Sequence, residues 1–426
     1  MMDYRNKCGN DKEKTPSRHR LPHQILRFVP EPIIQHLLRQ YDIATSMHQI
    51  IAVLLVVFIV CTTPATAETS IDLNTTARLV RAAEKSVADP QGWAFDLLDV
   101  LQLHGLPQSR ENVCAAIAII DQESSFNADP VVPGLGKLSE MALQEKLAKV
   151  PIGGTIALKW LANTPNPQTS FLKRIRNAKS ERDLDLAYRA LVDYGSRSAS
   201  LDAVVRLGLL NTLIEDKNEI DTAGSMQVSV KFALDMARQR RWLPMTLDDV
   251  YGVRDQLYTR HGGMYYGVKQ LLGYDTGYNR KIFRFADFNA GRFASRNAAF
   301  QQVVAKLSGQ KLSVDGDLLS YSKDGNVRKI VTSSEKAIRL ASQKQNLGLS
   351  DADIRRDLLQ EKNIDFVKTR TFTALRERYA STTKSAAAFA RLPDIALNSP
   401  KLKRSFTTRR FAESVNTRYQ ACMKQK

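Results

Sequence analysis

The residue best placed for chemistry is Glu123, which follows an apolar run of residues 113–120. Ser109 can cap a helix over this run, and an apolar stretch of this kind suits a helix that is buried on most sides. Ile119 and Ile120 precede Glu123 by four and three positions and therefore share its helix face. Desolvation disfavours an ionised carboxyl group there, so its pKa rises and it can act as a general acid near neutrality. A glutamate that turns to solvent at the helix end is the alternative.

Two downstream segments offer amide side chains that can bind a sugar. Gly224-Ser-Met-Gln227 combines a flexible residue, an apolar anchor and an amide, just before an amphipathic run that predicts a helix. Phe288-Asn-Ala-Gly291 offers a second amide beside small residues, which let a polysaccharide approach the backbone closely. Asn-Ala-Gly is equally typical of a helix C-cap, so neither segment alone identifies a site.

The order of these segments is more specific than any one of them. Glu-Ser, Gly-x-Met-Gln, the run His261–Leu272 and Phe-Asn-Ala-Gly resemble, in that order, the catalytic domain of the soluble-type lytic transglycosylases, relatives of goose-type lysozyme. The resemblance implies a lysozyme-like helical core in which Glu123 is the single catalytic acid and base. It implies substrate contacts from Ser124, Met226, Gln227, Phe288, Asn289 and, by a looser match of residues 411–419, Tyr419.

The chain also departs from the family pattern. Residues 127–222 separate the Glu-Ser and Met-Gln elements, which lie close together in the family, and residues 300–410 form a second insertion. Ser225 stands where the family favours an apolar residue, and Val230 stands where it favours proline. We therefore expect a mainly α fold with two long, mostly helical insertions, the second of them basic. The expected core comprises residues 68–126 and 223–299, closed by a C-terminal helix over residues 411–426.

The implied activity is cleavage of the MurNAc-GlcNAc bond of peptidoglycan, in which the muramic acid 6-hydroxyl attacks internally and leaves a 1,6-anhydro end. Ordinary glycoside hydrolysis uses two carboxylates, and Asp121, Asp221 and Asp287 are the candidates for a second one. None of them stands out, so the sequence fits transglycosylation better than hydrolysis. A catalytically inactive peptidoglycan-binding scaffold of the cell envelope is the alternative.

The remaining motif inventory predicts neither a cofactor nor a metal site. The chain has six histidines, without the paired spacing that zinc sites require. Its glycine-rich stretches lack the lysine of a phosphate-binding loop, and its serines lack a nucleophile elbow.

The N-terminal region predicts export. Residues 50–61 are apolar and Ala65-Thr-Ala67 follows, which is typical of a signal peptide and its cleavage site. We interpret residues 47–67 as a signal peptide or an uncleaved anchor and residues 1–46 as a basic, disordered extension. The expected location is the periplasm or cell envelope. Cys114 and Cys422 either pair as a disulfide or remain separate thiols.

The formal net charge of +18 favours acidic partners. From residue 367 onward, 14 Lys and Arg stand against 3 Asp and Glu. Peptidoglycan glycan strands are the expected partner, and an anionic membrane surface or proteins of the wall machinery are compatible with the charge. Nucleic acid is disfavoured, because the sequence contains no nucleic-acid-binding module and export separates the chain from DNA.

Periodicity supports the mainly α class. Apolar spacing predicts helices over residues 71–88, 184–192, 201–213 and 337–347. Clear alternation is scarce, and residues 326–332 are the best strand candidate.

Overall fold

The computed structural model describes residues 70–150, 153–197, 221–322, 325–397 and 406–425. Within these ranges the chain is mainly α, as predicted. The expected leader, residues 1–67, and the predicted helix over residues 201–213 lie outside the described residues. None of the described helices combines the length and the apolar character that crossing a bilayer requires.

The elements fall into groups along the chain. The first three helices are α1 (Leu73–Ala83), α2 (Pro90–Leu103) and α3 (Arg110–Ser124). The first insertion contains α4 (Leu135–Ala148), α5 (Gly153–Asn163), α6 (Phe171–Asn177) and α7 (Glu181–Arg197). There follow β1 (Thr222–Ala223), β2 (Val228–Ser229), α8 (Val230–Arg238), α9 (Leu247–Leu257), α10 (Arg260–Leu272), α11 (Lys281–Ala290) and α12 (Ala294–Ser308). The last group is α13 (Ser333–Lys344), α14 (Asp351–Leu358), a 3-10 helix (Ile364–Lys368), α15 (Arg370–Thr383), β3 (Ala396–Leu397), β4 (Phe406–Thr407) and α16 (Thr408–Lys424).

Helix α3 lies at the centre of the main core, as its sequence predicts. Ser109 Oγ accepts the backbone N–H of Asn112 at 3.4 Å and caps the helix. Every residue from Val113 to Ile120 is buried, because α1, α2, α10 and α16 pack around the helix. The sequence of α3 therefore leaves only its ends accessible to solvent or to a substrate.

Helix α16 runs antiparallel along α3 and is covalently tied to it. Cys114 and Cys422 form a disulfide with a Cα–Cα distance of 5.6 Å, so the pairing that the sequence left open is formed. At the other end of the contact, Ser414 Oγ donates to Gln122 Oε1 at 2.7 Å. These two contacts fix the register between the helices.

The two insertions are packed differently. Leu143, Leu161 and Phe171 of the first insertion belong to the same buried cluster as α3. The second insertion has its own cluster, in which the rings of Phe300 and Phe366 lie 5.1 and 5.2 Å from that of Phe372. The first insertion is thus part of the main core, whereas the second forms a separate core after α11.

Two boundary predictions need correction. The helix predicted over residues 71–88 begins as expected behind Asp72, whose carboxylate accepts from Thr75 N at 2.9 Å, but it ends at Ala83. The strand predicted over residues 326–332 is wrong, because only Val327 forms an isolated bridge, to Tyr321. The guanidinium of Arg355 donates to the backbone oxygens of residues 328 and 330 at 2.6 and 3.4 Å, and so occupies acceptors that a neighbouring strand would need.

The other helix predictions are confirmed with extended or shifted ends. Residues 184–192 lie within α7, and the predicted helix over residues 337–347 corresponds to α13.

Candidate active site

Glu123 lies in the last turn of α3, directly before an abrupt change of backbone direction. Ser125 and Phe126 both have positive φ, 49° and 60°, a conformation that costs residues other than glycine on the order of 1–3 kcal/mol each. Phe126 is buried and packs edge-on against Trp93, with ring centroids 5.3 Å apart. Ser124 Oγ donates to Ile120 O at 3.1 Å and accepts from Asn127 N at 3.3 Å. The position of Glu123 is therefore fixed by a strained helix end that its neighbours stabilise.

The Glu123 carboxyl group is partly buried and has a raised pKa. Burial is the main cause, the negative charge of Glu181 adds to it, and together they raise the pKa to about 8 from an ordinary value of 4.5. The group is consequently neutral at pH 7, when it can donate a proton to a leaving oxygen. The apolar residues that precede Glu123 in α3 predict such a protonated carboxyl group.

The Gly224-Ser-Met-Gln227 segment is the turn of a small hairpin between β1 and β2. Thr222 pairs with Ser229 and Ala223 pairs with Val228. The turn packs closely against α10, because Gly263 and Gly267 have no side chains that would collide with it. A Cβ atom added at Gly267 would lie 2.8 Å from Met226 Cβ.

Met226 and Ser225 face this helix and are fully buried. The Ser225 hydroxyl, which replaces an apolar residue of the family pattern, has no hydrogen-bond partner within the described part of the chain, and a Cβ at Gly263 would lie 2.9 Å from it. Met226 is thus the anchor of the hairpin rather than part of an open surface.

Gln227 ends the turn in a left-handed conformation, with φ of 47°. Its Oε1 accepts from Thr222 Oγ1 at 2.8 Å, and its Nε2 donates to Glu181 Oε2 at 3.2 Å. The amide predicted to bind a saccharide is therefore engaged at both ends by protein groups. A sugar oxygen that accepts from Nε2 has to compete with the Glu181 carboxylate.

Glu181 is the functional candidate that sequence reasoning missed. It is the first residue of α7, belongs to the first insertion and is only 6% exposed. Tyr258, which is also buried, lies close by: burial, and then the charges of Asp185 and Glu181, raise the pKa of its hydroxyl. The local signal for Glu181, an acidic residue in the first turn of a helix, is too common to single it out.

The three aspartates considered as second carboxylates occupy other environments. Asp121 pairs with Arg418 at 2.9 Å; burial raises its pKa and Arg418 opposes that rise. Asp287 accepts from Tyr278 Oη and from Ser295 N, both at 2.7 Å, and burial raises its pKa to about 6. Asp121 and Asp287 are therefore both bound to partners within the fold. Asp221, which directly precedes β1, is exposed.

The sequence left open whether the Phe288-Asn-Ala-Gly291 segment is a helix C-cap or a binding element, and the structure is compatible with both. Gly291, at a φ of 101°, is the C-cap of α11, and its N–H bonds to Asp287 O at 2.8 Å. Phe288 is buried and its carbonyl accepts from Gln270 Nε2 at 3.2 Å. Asn289 is exposed, so its amide remains accessible to a ligand.

Asn289 is also tied to the closing helix. Its Oδ1 accepts from the Oγ1 of Thr408, the first residue of α16, at 2.9 Å. Thr408 precedes Ser414, the partner of Gln122, by six residues, or about 9 Å of helix. The contact therefore brings the Asn-Ala-Gly motif towards the end of α3 that carries Glu123.

Tyr419 lies further along α16 and packs on Phe285, with ring centroids 5.6 Å apart. It lines a cavity of about 390 Å³ together with Glu111 and Lys281. Glu111 is in the first turn of α3, about 18 Å of helix away from Glu123. The structure thus places Tyr419 towards the opposite end of α3 from the predicted acid.

Comparison with known proteins gives a family without an assigned activity. Residues 86–425 match the family described as "Protein of unknown function (DUF1615)". The chain is 35% identical over 362 residues to the "Uncharacterized protein YaiW" of Escherichia coli (strain K12), an alignment that covers 84% of this chain and 91% of the relative. No solved structure matches the chain.

Proposed function

This chain belongs to the DUF1615 family, and from that premise we propose that it is a peptidoglycan lytic transglycosylase with Glu123 as its single acid and base. The observation that carries the proposal is the place of Glu123 at the end of a buried helix, where burial raises the pKa of its carboxyl group to about 8. The Gly-x-Met-Gln hairpin and the exposed Asn289 amide add the binding groups that the resemblance requires. A lysozyme-like arrangement of the core helices is part of the same proposal.

The reaction balances without water or cofactor. Glu123 donates its proton to the glycosidic oxygen, the C1–O bond breaks, and the GlcNAc portion leaves with a new hydroxyl group. The muramic acid 6-hydroxyl then bonds to C1 and gives its proton to the Glu123 carboxylate, which regenerates the acid. A carboxyl group with a pKa of about 8 suits both steps, since it can give and take a proton near neutral pH.

The proposed setting is the periplasm or cell envelope, with peptidoglycan strands as the partner. The Cys114–Cys422 disulfide supports it, because such bonds persist in oxidising compartments. The charge of +18 favours attraction to acidic wall polymers.

A catalytically silent wall-binding protein is the second candidate. The engagement of the Gln227 amide favours it, because a saccharide oxygen has to compete with Glu181 for Nε2. Such a protein would bind glycan strands and leave them intact.

The test is to incubate purified peptidoglycan with the protein and to identify the released fragments by mass spectrometry. Glu123→Gln is the decisive variant, and Glu111→Gln, in the first turn of the same helix and half exposed, is the matched control. We expect anhydro-ended fragments from the wild type and the control but none from Glu123→Gln. Equal binding by all three proteins without any cleavage would establish the scaffold instead.

A further inference from the structure

Arg292 directly follows the Asn-Ala-Gly motif, in the turn that joins α11 to α12. A hydrogen bond from Ala294 N to Gly291 O, at 3.1 Å, closes this turn. The next residue, Phe293, is buried and packs edge-on against Tyr274, with ring centroids 5.3 Å apart. The backbone position of Arg292 is therefore fixed from both sides.

The Arg292 side chain lies between two aromatic rings. Its Cζ atom is 4.7 Å from the ring centroid of Tyr274, in the loop after α10, and 5.3 Å from that of Phe232 in α8. Phe232 belongs to the first turn of α8, and the N-cap of this helix, Ser229, is paired in the hairpin of the Gly-x-Met-Gln motif. The guanidinium thus lies between the elements that carry the two amide-bearing motifs.

Contact with aromatic rings holds a guanidinium in place but supplies no oxygen acceptor to its N–H groups. Arg292 Nε is buried without a hydrogen-bond partner, and the side chain forms no ion pair with any residue that the structure describes. Arg292 is only partly buried, and its two terminal nitrogens are not enclosed. These nitrogens therefore remain accessible to a ligand.

Two other arginines near these rings have protein acceptors. Arg284 lies over the same Tyr274 ring, at 5.3 Å, and donates to two backbone oxygens at 3.0 and 3.2 Å. Arg296 is fully buried and donates to the backbone oxygen of Asn363 at 2.7 Å. Both therefore stabilise the fold, whereas the fold supplies Arg292 with aromatic contacts alone.

The charged groups beside the motif do not neutralise Arg292. Lys362 Nζ lies 3.6 Å from the place of a Cβ atom on Gly291, and it pairs with Asp317 at 2.7 Å. The carboxylate of Asp287, four residues before Gly291, accepts its hydrogen bonds from other groups. The positive charge of Arg292 is therefore left for a ligand.

A planar guanidinium with accessible N–H groups binds a carboxylate through two parallel hydrogen bonds. Peptidoglycan carries carboxylates on the peptide stems of its muramic acid units. We propose that Arg292, held between Tyr274 and Phe232, is the binding site for a stem-peptide carboxylate of the substrate. The inference rests on the proposed function in taking peptidoglycan as the ligand, but its test requires no cleavage.

The experiment measures, by isothermal titration calorimetry, how the full-length protein binds a GlcNAc-MurNAc disaccharide with a tripeptide stem. This ligand has no MurNAc-GlcNAc bond, so the proposed reaction does not consume it. A second ligand has the same stem with its carboxylates amidated. We expect the wild type to bind the carboxylate ligand about tenfold more tightly, because amidation removes the charge-assisted hydrogen bonds.

Three variants assign this preference to one side chain. Arg292→Gln should bind both ligands equally, with the affinity of the wild type for the amidated one. Arg292→Lys, which keeps the charge without the planar fork, should retain part of the preference. Arg280→Gln is the matched control, since Arg280 is exposed at the other end of α11 and also lies over a ring, 5.9 Å from the centroid of Phe283. The control should keep the full tenfold preference.

The wild-type protein provides a second readout if Arg292→Gln does not fold. With nitrogen-15 in the arginine side chains, we expect one Nε–H signal in the NMR spectrum to shift with the carboxylate ligand and not with the amidated one. The same signal should be absent from Arg292→Lys.

Equal affinity of the wild type for the two ligands, no measurable binding of either, or a preference that persists in Arg292→Gln overturns the inference. If the wild type nevertheless releases anhydro-ended fragments from intact strands, the proposed function stands without this site. If the preference depends on Arg292 but the strands stay uncleaved, the proposed catalysis fails and the carboxylate site remains.

Discussion

Gln227 Nε2 lies 3.2 Å from Glu181 Oε2, although 46 positions separate the two residues in the chain. The contact joins the hairpin of the Gly-x-Met-Gln motif to the first helix turn of α7. Through it, the insertion that interrupts the family pattern adds a second acidic group to the candidate site. The consequences for catalysis and stability can be measured separately.

Activity should fall at alkaline pH. Glu123 must be protonated to donate to the leaving oxygen, and its pKa is about 8. Above that value we expect the rate of anhydro-end release to decline about tenfold per pH unit. Initial rates on purified peptidoglycan from pH 6 to pH 10 provide the measurement. A rate that is constant to pH 10 would show that Glu123 is not the acid.

Replacing Glu123 should stabilise the fold at high pH. Its folded-state pKa, about 8, is above the ordinary 4.5, so unfolding releases a proton between these values and the stability falls as the pH rises through this window. Glu123→Gln removes that penalty, and above pH 8 we expect a gain on the order of a few kcal/mol. Below pH 4 the two proteins should be equally stable. Denaturant unfolding at pH 4 and pH 9 tests this, and a pH-independent difference would contradict the raised pKa.

The disulfide should contribute strongly to stability. Cys114 and Cys422 are 308 positions apart, so their bond restricts a long loop of the unfolded chain. We expect the double variant Cys114→Ser, Cys422→Ser to lose roughly 2–5 kcal/mol of unfolding free energy. Reductant should lower the melting temperature of the wild type and leave that of the double variant unchanged. Equal melting temperatures for the wild type and the double variant would exclude a structural role.

The hairpin should depend on the small residues of α10. In Gly267→Ala the added methyl group collides with Met226, and overpacking of this kind costs about 1–3 kcal/mol. Gly252→Ala is the matched control, because it lies within α9 with nothing within 4 Å of an added Cβ. The control should gain about 0.5–1 kcal/mol from the better helix propensity of alanine. Thermal unfolding of both variants measures the contrast, and the same sign of change in both would refute this packing.

The sequence predicts the parts of the site that depend on local patterns. Continuous apolar residues bury α3 on all sides, so the environment of Glu123 follows from its own helix. Glu181 could not be predicted in this way, because its place beside Gln227 depends on how α7 packs across the insertion. The same limit applies to Tyr419, whose helix was predicted but whose position along α3 is set by the disulfide and by the contact of Ser414 with Gln122.

The strand predicted over residues 326–332 illustrates the opposite error. The short alternating run predicts a strand, but strands need partners for their backbone groups, and here Arg355 binds two of the carbonyl oxygens. The periodicity of apolar residues predicts helices reliably when the apolar face is long. It does not predict which distant side chain will form a hydrogen bond to a given backbone group.

The most direct test of the central claim is cleavage of purified peptidoglycan in water labelled with the heavy isotope of oxygen. Transglycosylation consumes no water, so the account predicts anhydro-ended fragments that contain no label, and no such products from Glu123→Gln. Reducing-end fragments that carry the label would show hydrolysis and contradict the proposed reaction. Glycan strands that remain intact with the wild-type protein would contradict catalysis altogether.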